Sequence, residues 1–499
     1  MKHTIKICAL LFRAMLQFFT LSAVAVPLKD SVHIKGRLLQ EFPAGSIVKF
    51  QVVQNYASPL WTGFSKNYEA LIDSTGSFEI SFLPKDDIFY CKYLIQNSKK
   101  NPVQFSNVQG ANPVFLMQSG DDFSMEIGME NISFKGKGAA KMNCQYLLNI
   151  NPIYPRYVSK AIMDLTGTKQ YEKELDYWQE AVEDNLRINL GIIEAYSSQL
   201  TDSVKRILRY DYTGRAYKAI YGRFQKASSF GYDFDFYKRK LQAVKLRIPD
   251  TNDDLAAFSW GYMDYLYEKE KTKAMFAYGE GAVKYDYSYA VLFDQIMKRS
   301  AGMIRDNLLV TSFLNSLNRQ KDSPLFEREI KKAIDHKKVK IVFDDWLRRN
   351  GNRSPAFAFA LPDTLDVMHK LADYKGKVLI VDFWFNGCFG CAGLNKSISP
   401  VIQKYKDNPK VQFLSISVGA SRKGWIDGIR TGMYTHPEQV MLSTHGRSTF
   451  DTEIVKFYNY NSFPRLLLID KQGKNVMSNA PNPRLDGGAG LIAKIEELL

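Results

Sequence analysis

The sequence predicts three fold classes in succession: an N-terminal antiparallel β-sandwich, a central all-α region and a C-terminal α/β domain. Three observations predict that order. Up to about residue 135, apolar and polar residues alternate or run apolar over strand lengths. From 136 to about 350, apolar residues recur every three or four positions. Beyond 356, continuous apolar runs alternate with amphipathic stretches. At 499 residues the chain has room for roughly three domains of about 150 residues each. Its composition, 45% hydrophobic and 24% charged, is that of a globular protein and excludes a disordered one.

The extreme N-terminus has the pattern of an export signal. MKHTIKICALLFR is a basic stretch, AMLQFFTLSAVAV an apolar one, and Ala23-Val24-Ala25 a small-x-small cleavage site before Val26-Pro27. The alternative is an uncleaved anchor, but Arg13 and Gln17 interrupt the apolar run over 7–26. Residues 1–25 are read as a cleaved signal peptide, which puts the mature chain outside the reducing cytosol, in the periplasm or cell envelope. Lys and Arg number 67 against 52 Asp and Glu, a net charge of +15. Losing Lys2, Lys6 and Arg13 with the signal leaves +12 (15 minus 3). The charge is dispersed, as in 237–247 and 329–340, without a nucleic-acid motif. These runs read as solvated helix faces, and no nucleic-acid partner is expected.

Within 27–135, VHIKGRL, SIVKFQVVQ, YEALI, SFEISF and IFYCKYLI read as strands, and Asp73-Ser74-Thr75-Gly76 as a turn between two of them. Nothing there points to catalysis; His33 falls within a strand and reads as structural. Over 136–350, Tyr171, Leu175, Trp178, Val182, Leu186, Leu190 and Ile193 form one apolar stripe. Thr201-Asp202-Ser203 offers an N-cap for the next helix, and further helices are expected near 253–271, 284–318 and 324–346. The tyrosines at 210, 212, 217, 221, 232 and 237 read as core.

RNGNRSP (349–355) is polar and turn-rich and marks the last boundary. In 356–499, VLIVDFWF (378–385) and VQFLSISV (411–418) read as buried strands. Helices are expected over 391–407 and 422–432. RLLLIDKQGKNVMS (465–478) reads as a hairpin turning at Lys471–Lys474, and 491–499 as a closing amphipathic helix.

The chain has five cysteines, Cys8, Cys91, Cys144, Cys388 and Cys391, and four survive signal cleavage. That is too few for a disulfide scaffold. Cys91 and Cys144 read either as a pair or as two buried thiols. Cys388 and Cys391 stand where an apolar strand delivers the chain to a helix start. There the free N–H groups and the helix dipole stabilise a thiolate. A second thiol three residues on shares the helical face and can close a disulfide, so the pair suits thiol–disulfide exchange. A structural zinc site needs about four ligands. No second C-x-x-C exists and His436 and His445 would have to be recruited, so no metal is expected. Haem attachment needs a histidine after the second cysteine, and the residue is Ala392.

With that context in place, residues 356–499 resemble the thioredoxin superfamily. Within it they are similar to TlpA/ResA-type (AhpC/TSA-like) exported thiol–disulfide oxidoreductases of Gram-negative bacteria. ALPDTLDVMHKLADYKGK (360–377) resembles their leading hairpin, and VDFW (381–384) with the two cysteines resembles the active-site strand and helix. NSFPRLLLIDKQGK (461–474) resembles the cis-proline loop and following hairpin, and NAPNPR (479–484) the tail of the exported subgroup. GKGAAKMNCQYL (136–147) resembles a junction in Bacteroidota-type members that carry a β domain and a helical middle.

The resemblance implies a thioredoxin-like fold for 356–499 and a role for each site residue. Cys388 is the attacking thiolate and Cys391 the resolving thiol. Asp382 is the buried acid that moves a proton to and from Cys391. Its apolar strand should raise its pKa; the plainer reading is a satisfied strand-end acid. Pro464 is the cis-proline facing the cysteines. Phe463 offers its backbone to an extended substrate, with Phe389 and Trp384 at the substrate surface, Trp384 mainly as packing.

The residues also depart from the usual pattern. Gly387 stands where tryptophan is usual, Phe389-Gly390 where Gly-Pro is usual, and Lys396 at the place of a helix proline, with Pro400 four residues later. No histidine separates the cysteines, which points toward a reductant. The expected function is reduction of exported protein disulfides, with no cofactor and with electrons from a membrane donor. A thiol peroxidase is the second reading, but Phe385 and Val381 occupy its threonine and proline positions. A cell-envelope binding protein with a structural or redox-sensing thioredoxin domain is the third.

Overall fold

The computed structural model describes residues 30–53, 65–98, 103, 114–151, 163–229, 234–243, 251, 253–278, 287–316, 323–446, 452–460 and 462–499. The export-signal reading of 1–25, Cys8 and Tyr232 fall outside them.

Period-two alternation builds the first layer pair. Strands β1 (Val32–Leu38), β4 (Ser77–Phe82), β7 (Asp122–Ile127) and β8 (Ile132–Lys137) form a sheet in the order β4-β1-β7-β8. Strands β2 (Ile47–Val53), β3 (Ser65–Leu71), β5 (Ile88–Gln96) and β6 (Val114–Gln118) form another in the order β3-β2-β5-β6. On β1 every second residue is buried and the others are exposed. The inward residues of both sheets, Val32, Ile34, Phe50, Phe78, Phe115 and Phe134 among them, make one core. The sandwich departs from the antiparallel expectation at one place: β1 and β7 run parallel, His33 aligning with Asp122. The strands between them in sequence include the whole second sheet, so β7 returns to the first by a long crossover rather than a hairpin.

The central region is helical: α1 (Ala139–Ile150), α2 (Tyr171–Ala195), α3 (Asp202–Ser229), α4 (Phe234–Ala243), α5 (Asp254–Phe258), α6 (Trp260–Tyr278), α7 (Tyr289–Met297), α8 (Met303–Asn315), α9 (Ser323–Ala333) and α10 (Lys337–Asn350). The apolar stripe lies along α2, with Val182, Leu186 and Ile193 buried in the core. Each of the three later helices predicted by periodicity is divided in two, because periodicity does not register a local stop. The 284–318 stretch breaks at Gly302, whose φ is 146°. The 253–271 stretch breaks at Ser259, whose Oγ donates to the buried Asp211 at 2.6 Å. The 324–346 stretch breaks at 334–336, where the Asp306 carboxylate accepts the N–H groups of Asp335 (2.9 Å) and His336 (2.8 Å). That satisfies donors at the start of α10.

The last region begins with a small hairpin, β9 (Ala360–Pro362) and β10 (Met368–Lys370). A five-stranded sheet follows in the order β13-β12-β11-β14-β15. Central β11 (Val378–Trp384) pairs parallel with β12 (Val411–Ser417) and antiparallel with β14 (Arg465–Ile469). β13 (Val440–Ser443) and β15 (Asn475–Met477) form the edges. Helices α11 (Phe389–Tyr405), α12 (Arg422–Arg430), α13 (Glu453–Tyr458), α14 (Pro483–Asp486) and α15 (Ala489–Glu496) accompany it. One face of β11 packs Leu379, Val381 and Phe383 against α13; the other packs Val378 and Ile380 against Leu394 and Ile398 of α11. Burial on both faces explains why this strand reads as an apolar run interrupted only at Asp382. Among the described residues no helix is long and apolar enough to cross a membrane.

Candidate functional site

The site forms where β11 ends. Asn386 donates its Nδ2 to the Gly424 carbonyl at 2.7 Å, tying the loop to α12. Gly387 follows in the left-handed region, φ 85°, where a side chain would be strained. Its N–H donates to the Tyr434 hydroxyl at 3.0 Å. These two contacts account for Asn386-Gly387 before the first cysteine: an anchor and a positive-φ turn.

Helix α11 starts two residues earlier than its periodicity predicts, and this makes Cys388 its N-cap. The Cys388 sulfur accepts the Cys391 N–H at 3.1 Å, so the helix start directs a donor at the sulfur that would carry charge as a thiolate. Cys388 and Cys391 are joined in a disulfide, with Cα atoms 5.2 Å apart. Cys388 keeps 7% exposure and Cys391 none. Of the two, only Cys388 keeps any surface to solvent.

Asp382 is buried, and neither of its carboxylate oxygens has a hydrogen-bond partner. By alternation along β11 it lies between Ile380, which packs on α11, and Trp384, which packs with both cysteines. It thus sits on the sheet face beneath the cysteine-bearing helix. Burial pushes its pKa up to about 8. The plainer reading, an acid satisfied at a strand end, does not describe it, because its oxygens are unpaired.

The Phe463–Pro464 peptide bond is cis. The pyrrolidine faces the intervening glycine: a Cβ on Gly390 would stand 3.0 Å from Pro464 Cδ. Phe463 is half-buried with its ring edge-on to Phe385 at 5.8 Å. Phe389, the first residue of α11, is 90% exposed. Trp384 requires a correction. It is wholly buried, stacks on Tyr434 with ring centroids 4.9 Å apart and donates its indole N–H to Ser415 Oγ at 2.9 Å. It supports the site from beneath and offers no surface to a substrate.

Sequence reasoning missed Tyr434, Asn395 and Arg484. Asn395 on α11 donates to the carbonyls of Gly432, Met433 and Thr435 at 3.2–3.3 Å, which holds the Tyr434 loop over Trp384. No spacing in TGMYTHP marks that loop; only the tail motif at 479–484 drew attention near Arg484. Cys91 and Cys144 are free and buried. Burial raises both thiols, Cys144 to about 12 and Cys91 further, which keeps them protonated. Among the described residues no group of His, Cys, Asp or Glu is placed to hold a metal ion.

Residues 376–475 match a protein-family model described as thioredoxin-like. No curated protein matches the chain. Among solved structures, the chain is similar to a candidate thiol-disulfide oxidoreductase from Bacteroides vulgatus, at 26% identity over 30% of this chain and 96% of that one, TM-score 0.26. It is also similar to a thiol:disulfide interchange protein from a Bacteroides species, at 25% identity over 28% and 86%, TM-score 0.24. A third is a thiol-disulfide oxidoreductase from Bacteroides fragilis, at 20% identity over 29% and 100%, TM-score 0.26. The cysteine pair at the strand-to-helix turn lies within the matched stretch: residues 376–475 of this chain form a thioredoxin-like domain.

Proposed function

We propose that the protein is an exported thiol–disulfide oxidoreductase that reduces protein disulfides through a Cys388/Cys391 cycle. The Cys388 thiolate attacks one sulfur of a substrate disulfide. A mixed disulfide forms and the other substrate sulfur leaves as a thiolate. Cys391 gives its proton to the Asp382 carboxylate and attacks the Cys388 sulfur. The second substrate sulfur leaves as a thiolate, and the Cys388–Cys391 disulfide remains. Two electrons have passed from the domain to the substrate; the substrate thiolates take protons from water and from Asp382.

The observation that carries this reading is the burial difference within one cysteine pair, set above a buried and unpaired Asp382. An accessible sulfur suits attack on a partner, and a covered one suits resolution. The close approach of Pro464 to Gly390 supports it, since it sets Phe463 beside the disulfide turn, where an extended chain would lie. In this reading residues 1–25 direct the chain to the periplasm or cell envelope, and a membrane donor returns the cysteines to the dithiol. The β region of 27–135 and the helical region of 136–350 flank the thioredoxin domain of 356–499 as partner-recognition parts.

The test is insulin reduction with dithiothreitol as electron source. The parent should accelerate it, and Cys388→Ser should abolish the acceleration. Cys391→Ser should accumulate mixed disulfides through Cys388. A parent that reduces no insulin, together with a Cys391→Ser variant that traps nothing, overturns the proposal.

A further inference from the structure

The tail motif brings one cation to the disulfide turn, and the exchange chemistry above does not use it. Asn482 caps α14 and accepts twice from Arg484, from its backbone N–H and from its Nε, each at 3.1 Å. The Nε bond aims the guanidinium. Its Nη1 then donates to the carbonyl of Gly390, one of the two residues between the cysteines, at 3.2 Å. The position of a Cβ on the same Gly390 lies 3.0 Å from Pro464 Cδ and 3.7 Å from the Phe463 carbonyl oxygen. Three elements therefore meet at one glycine: the disulfide turn, the cis-proline loop and Arg484.

Arg484 is exposed, and its Nη2 makes no hydrogen bond among the described residues. The neighbouring acid, Asp486, is committed to the N–H groups of Gly488 (3.0 Å) and Gly490 (2.8 Å). Phe389, 90% exposed, precedes Gly390 in the chain, and Leu485, 79% exposed, follows Arg484. A guanidinium with one edge held by the protein and the other open matches the fork of a carboxylate. Exposed aromatic and arginine side chains together are also what polypeptide-binding surfaces favour.

We propose that Arg484 determines substrate specificity. It receives the carboxylate of an Asp or Glu flanking the cystine that Cys388 attacks, in a polypeptide substrate. The inference rests on the disulfide-reductase reading above. An exposed ion pair of this kind changes a rate or affinity by about two- to fivefold and weakens as salt rises.

The test uses the full chain, reduced with dithiothreitol, and two synthetic peptides. Each carries one internal disulfide; they differ only in Glu or Gln beside each cysteine. The parent should show kcat/KM about two- to fivefold higher for the Glu peptide, with the ratio falling toward one in high salt. Arg484→Gln should bring the ratio to about one, Arg484→Glu should invert it, and Arg484→Lys should restore part of it. Lys410→Gln, an equal charge change at the opposite end of β12, should keep the parent ratio. A parent ratio of one, or a ratio unchanged in Arg484→Gln, overturns the assignment while leaving the reductase reading standing. A parent that reduces neither peptide overturns both.

Discussion

Gly390 lies against Pro464: a Cβ added at 390 would stand 3.0 Å from the proline Cδ and 3.4 Å from Arg484 Nη1. A methyl there must move the ring or the helix start by a few tenths of an ångström. Gly390→Ala gains up to about 1 kcal/mol of helix propensity, offset by that contact, so thermal stability should change little. Exchange should suffer more, because small displacements between reacting groups are costly. Insulin reduction should slow by about tenfold, and further in Gly390→Val. Melting curves beside turnover rates check this. An alanine variant as fast as its parent would mean that the substrate does not use the Pro464 face.

Asp382 links stability to pH with a definite sign. Its folded pKa is raised to about 8 by burial, above an unfolded value of about 3.9. The folded state therefore binds the proton more tightly, and stability declines as pH climbs from about 4 to about 8, then levels off. Asp382→Asn removes that decline. The variant should match its parent near pH 4 and exceed it at pH 7 by up to about 4 kcal/mol, from 1.36 kcal/mol per pKa unit. Its effect on turnover should run the other way. Resolution loses its base, and the rise in rate through pH 8 should vanish. Denaturant titrations at several pH values test the first part; a stability gain independent of pH would contradict it.

Tyr90 joins the sandwich to the helices. From β5 its hydroxyl donates to Asp211 on α3 at 2.7 Å, and its ring stacks on Trp260 of α6 at 4.4 Å. Burial and the facing carboxylate raise its pKa far above the ordinary phenol range, so the hydroxyl stays a donor. Tyr90→Phe should cost about 1.5–3 kcal/mol, the usual range for a hydrogen bond to a charged group. Asp211→Ala should cost more, because Ser259 Oγ and the Gly261 N–H also donate to that carboxylate. Calorimetry should then resolve the β and helical regions into separate transitions where the parent shows one. A single transition in Tyr90→Phe with an unshifted midpoint would dismiss the coupling.

The chemistry of the site was the legible part of the sequence, and its support was not. Two sulfurs three residues apart after an apolar strand define a helix-start dithiol by local rules alone. A carboxylate inside that strand shows itself by interrupting the apolar run. Tyr434, Asn395 and Arg484 act through contacts about 40 to 90 positions away in sequence, to which periodicity is blind. The three divided helices have a related cause. Stops at Ser259 and at 334–336 are set by Asp211 and Asp306, carboxylates on other helices. The parallel pairing of β1 with β7 depends on a crossover between sheets that strand patterns do not encode.

The polar stretch 349–355 reads as a boundary, yet Asn475 sews it to the edge of the C-terminal sheet. Asn475 is wholly buried at the start of β15. Its Nδ2 donates to the Arg349 carbonyl at 2.8 Å and to Ser354 Oγ at 2.9 Å, and its Oδ1 accepts from the Tyr458 hydroxyl at 2.9 Å. Its backbone N–H donates to the Ser354 carbonyl at 2.8 Å, while its carbonyl accepts from Arg353 at 2.7 Å. Tyr458 in turn accepts the Phe357 N–H at 3.0 Å. Asn475→Ala removes the side-chain bonds and leaves a buried hydroxyl and a backbone carbonyl short of partners. About 2–6 kcal/mol should be lost, from 1–3 kcal/mol for each of the two unsatisfied buried groups. The loss should be local. The connecting segment would open while the dithiol site keeps its geometry, so trypsin should cut after Arg349 or Arg353 faster than in the parent, and insulin reduction should persist in the released C-terminal fragment. Equal cleavage rates in the two proteins would show that the segment is held by something other than Asn475.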